Sequence, residues 1–314
     1  MLRKDNTSFI TSSYYKCKGV IVVNYLYVCN TSSDTISKIN INDFKEEKKI
    51  ELGTNYVDRI GPHGICTYKD KLLVVNNYSN DLSIIEQGKE KESYYVGVHC
   101  NDIGVINSKA YILCGDINSI IVFDLLKKEI LEQIPCGEMP HSIDINTKNK
   151  MLLVTNMNDD TISLIDCNKA HEIKNIRVGA FPTKAAFSRD GEFVFVCESN
   201  LGGYSRGSIS IFSARNFKLI NRITVGYSPV DLLCDSEFCY VTNFGDGSIS
   251  IFNINTYKSI KNINIGGMPR GIKKLDKYLY VGDNYNNLLI EVDITNENKK
   301  AICVGGEPTG MALI

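Results

Sequence analysis

Four histidines, His63, His99, His141 and His171, are the side chains of this 314-residue chain best suited to proton transfer or metal ligation near neutral pH. Metal catalysis needs two or three ligands that converge on one point. No His-x-His or His-x3-His spacing brings two of them together locally, so only the fold could do so. His63 and His141 are the pair that folding could unite, with Asp102 and Asp231 as companion carboxylates. His99 is expected in a loop, and His171 on the solvent side of Asn168-Lys169-Ala170-His171-Glu172. Serines and cysteines abound, yet none stands beside a local base that would activate it. The Gly-x-Ser-x-Gly elbow, the Gly-x-Gly-x-x-Gly fingerprint and the phosphate-binding loop are all missing. No cofactor or metal is assigned from the sequence. The eleven cysteines form no Cys-x-x-Cys pair and lie mostly in apolar runs. They read as reduced, small hydrophobes of a cytoplasmic protein.

Composition narrows the classes further. Hydrophobic residues make up 43% and charged residues 23%, ordinary globular usage. A net charge of −1, with no tryptophan, argues against a nucleic-acid groove, which needs a basic excess interleaved with stacking aromatics. No apolar run reaches the ~18 residues of a membrane-spanning helix, so no membrane role is expected. The N-terminus leads into no apolar core of a secretory signal. The many Asn, Lys and Ile residues are the usage expected of an AT-rich bacterial source.

What must position these side chains is a repeat. A short apolar strand ends in Asn or a stand-in, turns, and is followed by a second strand. The anchors are Asn30, Asn76, Cys114, Asn156, Glu198, Asn243 and Asp283, seven copies with a mean period of about 42 residues. A second signature, Gly-x-x-Pro, precedes most copies and recurs at Gly137, Gly179, Gly226, Gly266 and Gly305. Pro62 and Cys100 hold the proline's place in two degraded copies. About 42 residues hold four strands of ~6 residues plus turns. Seven such units imply an all-β, seven-bladed β-propeller of four-stranded antiparallel blades. Residues 1–18 read as an N-terminal extension and 19–314 as the propeller. The lone final strand Met311-Ala312-Leu313-Ile314 is expected to close the ring, although Gly19-Val20-Ile21-Val22-Val23 could fill the same place. Val28, Val74, Leu113, Val154, Val196, Val241 and Val281 are the expected core, one per blade.

Tyr240-Val241-Thr242-Asn243 and the junction Ile223-Thr224-Val225-Gly226-Tyr227-Ser228-Pro229 resemble the YVTN-repeat β-propeller family, which includes YncE-like proteins. The likeness covers about residues 19–314 and implies the fold rather than a function, because such scaffolds host binding, structural and catalytic roles. Some relatives of this kind are thought to bind single-stranded nucleic acid.

Each anchor is expected to end its strand in a turn, its side chain bonding backbone nearby and tolerating left-handed geometry. Gly supplies the sharp bend, and a Gly226→Val change should be worse than a core Val→Ala change if that glycine has a positive φ. Blade-to-blade loops and anchor turns should open on one mouth of the channel. The residue after each proline position should point to the axis: His63, Asn101, His141, Thr183, Val230, Arg270 and Thr309, with Asp102, Lys184 and Asp231 next in line. This ring is chemically mixed, and variation at a repeated position is where a scaffold acquires individual function. The fifth copy carries a longer loop, Leu201-Gly202-Gly203-Tyr204-Ser205-Arg206-Gly207, expected on the same mouth. The sequence therefore points to a monomeric, non-catalytic scaffold. It would bind a protein or small molecule through His63, Asn101, Asp102, His141, Lys184, Asp231, Arg270, Tyr204 and Arg206. A lactonase- or hydrolase-like enzyme with a funnel site is the alternative.

Overall fold

The computed structural model describes residues 25–53, 59–169 and 171–314. Seven separate four-stranded antiparallel sheets form the blades of a propeller. The innermost strands are Pro308–Leu313, Pro62–Tyr68, Cys100–Ile106, Pro140–Asn146, Pro182–Phe187, Pro229–Cys234 and Pro269–Leu275, in blades one to seven. Six of them begin on the proline that the repeat singles out, where a missing N–H costs no ladder bond. Blade one takes its inner strand from the C-terminus. Leu313 lies opposite Leu26 and Met311 opposite Val28, and Tyr25 and Ile314 exchange backbone hydrogen bonds of 2.9 Å. Gly19–Val23 and the proposed 1–18 extension lie outside the described residues.

Burial rises and falls across each blade. In Lys71–Asn76, a second strand, five consecutive residues are buried, because neighbouring blades cover both faces. The outer strand Lys45–Glu51 buries only Ile50, so its other positions are polar. The seven expected core residues, Val28 to Val281, are all fully buried.

Asp283 bonds backbone nearby as expected, accepting Tyr285 N and Asn286 N at 3.2 Å, whereas the Asn anchors tie their hairpins through side chains. Asn30 has φ −110°, which is not left-handed. Its amide donates across the hairpin to the hydroxyls of Thr35 (3.0 Å) and Ser37 (2.9 Å). Asn156 and Asn243 repeat this pattern with Thr161 and Ser163, and with Ser248 and Ser250. The positive φ falls four residues later, at Asp34, Asn80, Asn118, Asp160 and Asn287. From that bend the side chain accepts a backbone N–H just before the next blade's inner strand. Asp34 takes Gly61, Asn118 takes Met139 and Asn287 takes Glu307, at 2.8–2.9 Å. The turn thus clasps one blade to the next.

The condition of a positive φ is not met at Gly226. Its need is space. A Cβ there would stand 2.5 Å from Asn243 Cγ, and its N–H donates to Asn243 Oδ1 at 3.0 Å. Gly137, Gly179 and Gly305 lie equally close over Asn156, Glu198 and Asn30. At these four junctions the two sequence signatures are two halves of one contact, while before Asp283 it is Gly267 rather than Gly266 that lies close. In the third blade, Cys100 and Cys114 face each other in register with sulfurs 3.9 Å apart.

Candidate functional site in the axial funnel

The seven inner strands start together at one end of the ring, and the residue after each proline position faces the axis. His63, Asn101, His141, Thr183, Val230, Arg270 and Thr309 all line a cavity of about 120 Å³. Asp102, Lys184 and Asp231 line it one position further in. Seven of the nine residues singled out from the sequence therefore meet in one place.

The other two do not. Tyr204 is fully exposed, and Arg206 rests over the Tyr227 ring, 5.7 Å from its centre. Their loop is joined to the rim where Asn200 N donates to Ala180 O and Gly207 N to Gly226 O, outside the cavity lining. The anchor side chains are likewise buried inside their blades and do not line the mouth. His171 is not solvent-facing. It packs edge-on against Tyr111 and meets Glu132 Oε2 at 3.2 Å. His99 sits in the blade junction and pairs with Asp116 at 3.0 Å.

Most cavity side chains tie one blade to the next. Asn101 donates to Pro140 O (2.9 Å) and Thr183 to Pro229 O (3.1 Å). His63 Nδ1–H donates to Asn101 O (2.6 Å), and His141 Nδ1–H to Thr183 O (2.8 Å). These bonds fix both imidazoles as the Nδ1–H tautomer and leave Nε2 as an acceptor. His63 Nε2 then accepts from Arg270 Nη2 at 3.0 Å. Burial, with the Arg270 guanidinium next, holds His63 neutral and well below the usual histidine range. The same causes lower His141 to about 4. Among the described residues His141 Nε2 has no hydrogen-bond partner, and the two imidazoles stand edge to face, 6.2 Å between ring centres.

The carboxylates are engaged too. Asp102 Oδ1 accepts Ile103 N (2.9 Å), while its Oδ2 accepts Ile143 N from the next blade (3.1 Å) and Lys184 Nζ (3.3 Å). Asp231 repeats this with Leu232 N and the next blade's Ile272 N. Deeper in, Asp144 takes Phe187 N at 2.8 Å. Burial raises the carboxyls of Asp144 and Asp231, and the three acids in turn raise the Lys184 ammonium against its desolvation.

Sequence reasoning missed Lys273 and Asp144. Both sit four residues after a proline on their inner strands. Extending the axial set to that position would have found them. Lys273 lines the cavity, and burial lowers its pKa. Among the described residues no group of three or more His, Cys, Asp or Glu is placed to hold a metal ion.

No protein-family model matches this chain, and no curated protein matches it. Solved structures do. A functionally unknown protein from Desulfotomaculum acetoxidans DSM 771 aligns over 92% of this chain and 98% of its own, at 17% identity and TM-score 0.77. A streptogramin B lyase aligns over 92% and 91%, at 15% identity and TM-score 0.70. The dihydro-heme d1 dehydrogenase NirN, solved with DHE, aligns over 92% and 75%, at 12% identity and TM-score 0.64. These likenesses establish the β-propeller fold and leave the chemistry to the residues of the funnel.

Proposed function

We propose that this chain is a non-catalytic β-propeller scaffold that binds a small polar ligand in the axial funnel. The observation that carries the reading is the convergence of all seven variable inner-strand positions on one cavity of about 120 Å³. A cavity that presents an imidazole acceptor, a guanidinium and two ammoniums offers the few placed polar groups that fix a ligand's orientation. The repeat residues around Tyr240–Asn243 support placing the chain among YVTN-repeat propellers, and a monomeric cytoplasmic protein is part of the same reading.

The test is thermal unfolding of the purified protein against a panel of small polar molecules, for the native chain and for Val230→Phe. Val230 lines the cavity mouth without a hydrogen-bonding role, so a phenyl there fills the funnel and leaves the blade ties intact. Stabilisation by a panel member that Val230→Phe abolishes supports the reading. A ligand shift that survives the plug, or none across the panel, defeats it.

One observation favours a hydrolase-like enzyme as the second reading. His141 is oriented through Nδ1 and, among the described residues, has no partner at Nε2, which is the geometry of a general base. Turnover of an ester or lactone by the native protein, lost in His141→Gln, would favour it over binding alone.

A further inference from the structure

Two cations of the funnel stand apart from everything around them. The carboxylates Asp102, Asp144 and Asp231 are engaged by backbone N–H groups of adjacent blades. Lys184 has Asp102. Arg270 and Lys273, both on the inner strand Pro269–Leu275, have no carboxylate within ion-pair reach among the described residues. Arg270 spends one N–H on a neutral imidazole and lines the cavity. Lys273 faces the same space. Asp231 is the nearest favourable charge for both, yet it lies beyond ion-pair distance and is held by backbone N–H groups, so an anion entering the cavity supplies the contact partner that each cation lacks. A strand bulge between Arg270 and Ile272 turns both side chains to one side.

We propose that the funnel ligand is a small oxyanion, a carboxylate or phosphate compound, held by Arg270 and Lys273. The proposal rests on the binding reading above and names its ligand class. Arg270 grips two oxygens with its planar fork, while Lys273 supplies a point charge from deeper in the channel. His63 holds the fork in place. It is a positioning residue, because protonating Nε2 would set a second N–H against the guanidinium.

The experiment is calorimetric titration of the full chain with malonate, inorganic phosphate and the neutral malonamide at low salt. Malonate or phosphate is expected to bind and malonamide to fail, and the stronger of the two anions identifies the source chemistry. Arg270→Gln and Lys273→Met should each weaken anion binding roughly tenfold or more, with Lys273→Arg retaining most of it. Lys273→Met should not lower the thermal midpoint, because Lys273 makes no tie between blades among the described residues, whereas Arg270→Gln also removes the hydrogen bond to His63 of blade two and is read by affinity alone. Anion affinity unchanged in both variants overturns the proposal. So does binding of malonamide alone, which leaves a funnel ligand of another class. Loss of every panel response, anionic and neutral, together with insensitivity to Val230→Phe, defeats the broader binding reading as well.

Discussion

Replacing Gly226 by alanine should cost far more than its one methyl group suggests. The added carbon would lie 2.5 Å from Asn243 Cγ and 2.5 Å from Asp246 Oδ2, distances real Cβ atoms do not reach. Either the junction or the two side chains must move. Asn243 then loses its bond from Gly226 N (3.0 Å), and Asp246 its bond from Tyr227 N (3.2 Å). The amide bonds from Asn243 to Ser248 and Ser250 are at risk in the same shift. Two or three lost bonds at about 1 kcal/mol each predict destabilisation of about 2–3 kcal/mol. Urea unfolding monitored by circular dichroism measures it, with an unchanged slope showing that the denatured state is the same. Asn243→Ala breaks the bonds to Gly226 N, Ser248 and Ser250 but not the one from Tyr227 N to Asp246, so the double variant should cost less than the sum of the two. Gly202→Ala is the contrast. Gly202 has φ +80° with nothing within 4 Å, so only backbone strain of about 1 kcal/mol applies. Gly226→Ala within about 0.5 kcal/mol of native would refute the close-approach argument.

Other outcomes follow from the funnel and the core. Asp102→Asn should cost about 2–3 kcal/mol in urea unfolding, because an amide can accept at one end only while Ile103 N, Ile143 N and Lys184 all use the carboxylate. Stability should fall as the pH drops from about 6.5 towards 4, because the unfolded chain takes up protons that folded His141 and His63 refuse. Each histidine contributes a slope of at most about 1.4 kcal/mol per pH unit, lessened where solvent reaches the ring. His141→Asn keeps a donor for Thr183 O and should flatten that slope; an unchanged pH profile would count against the buried neutral imidazole. Val241→Ala, fully buried, should cost about 1–3 kcal/mol in the same assay. Tyr204→Ala should change nothing beyond about 0.5 kcal/mol, because the side chain is fully exposed.

The blade count was legible because most blades repeat the same physical requirement. A proline opens the inner strand in six of them, and in most a glycine makes room for an anchor that ties a hairpin, so the three recur at fixed distances. The axial direction of His63, His141 and Arg270 followed from the same register, since position after the proline sets which way a side chain points. Partners were not legible. Gly226 and Asn243 are 17 residues apart, and nothing in their types says that one must fit over the other. Asp102 reads as a ligand-binding carboxylate from its place in the ring, yet its oxygens hold Ile143 N of the next blade. Whether a polar side chain is engaged or spare depends on backbone groups that every sequence shares. That is also why Lys273 escaped notice, although it stands on the same strand as Arg270.

The most direct test is a crystal structure of the protein grown with malonate or phosphate at low ionic strength. The account predicts a ring of seven sheets with the anion in the axial cavity, bonded to Arg270 and within reach of Lys273. An anion bound only elsewhere, with Arg270 and Lys273 paired to acidic side chains of the chain itself, would contradict it.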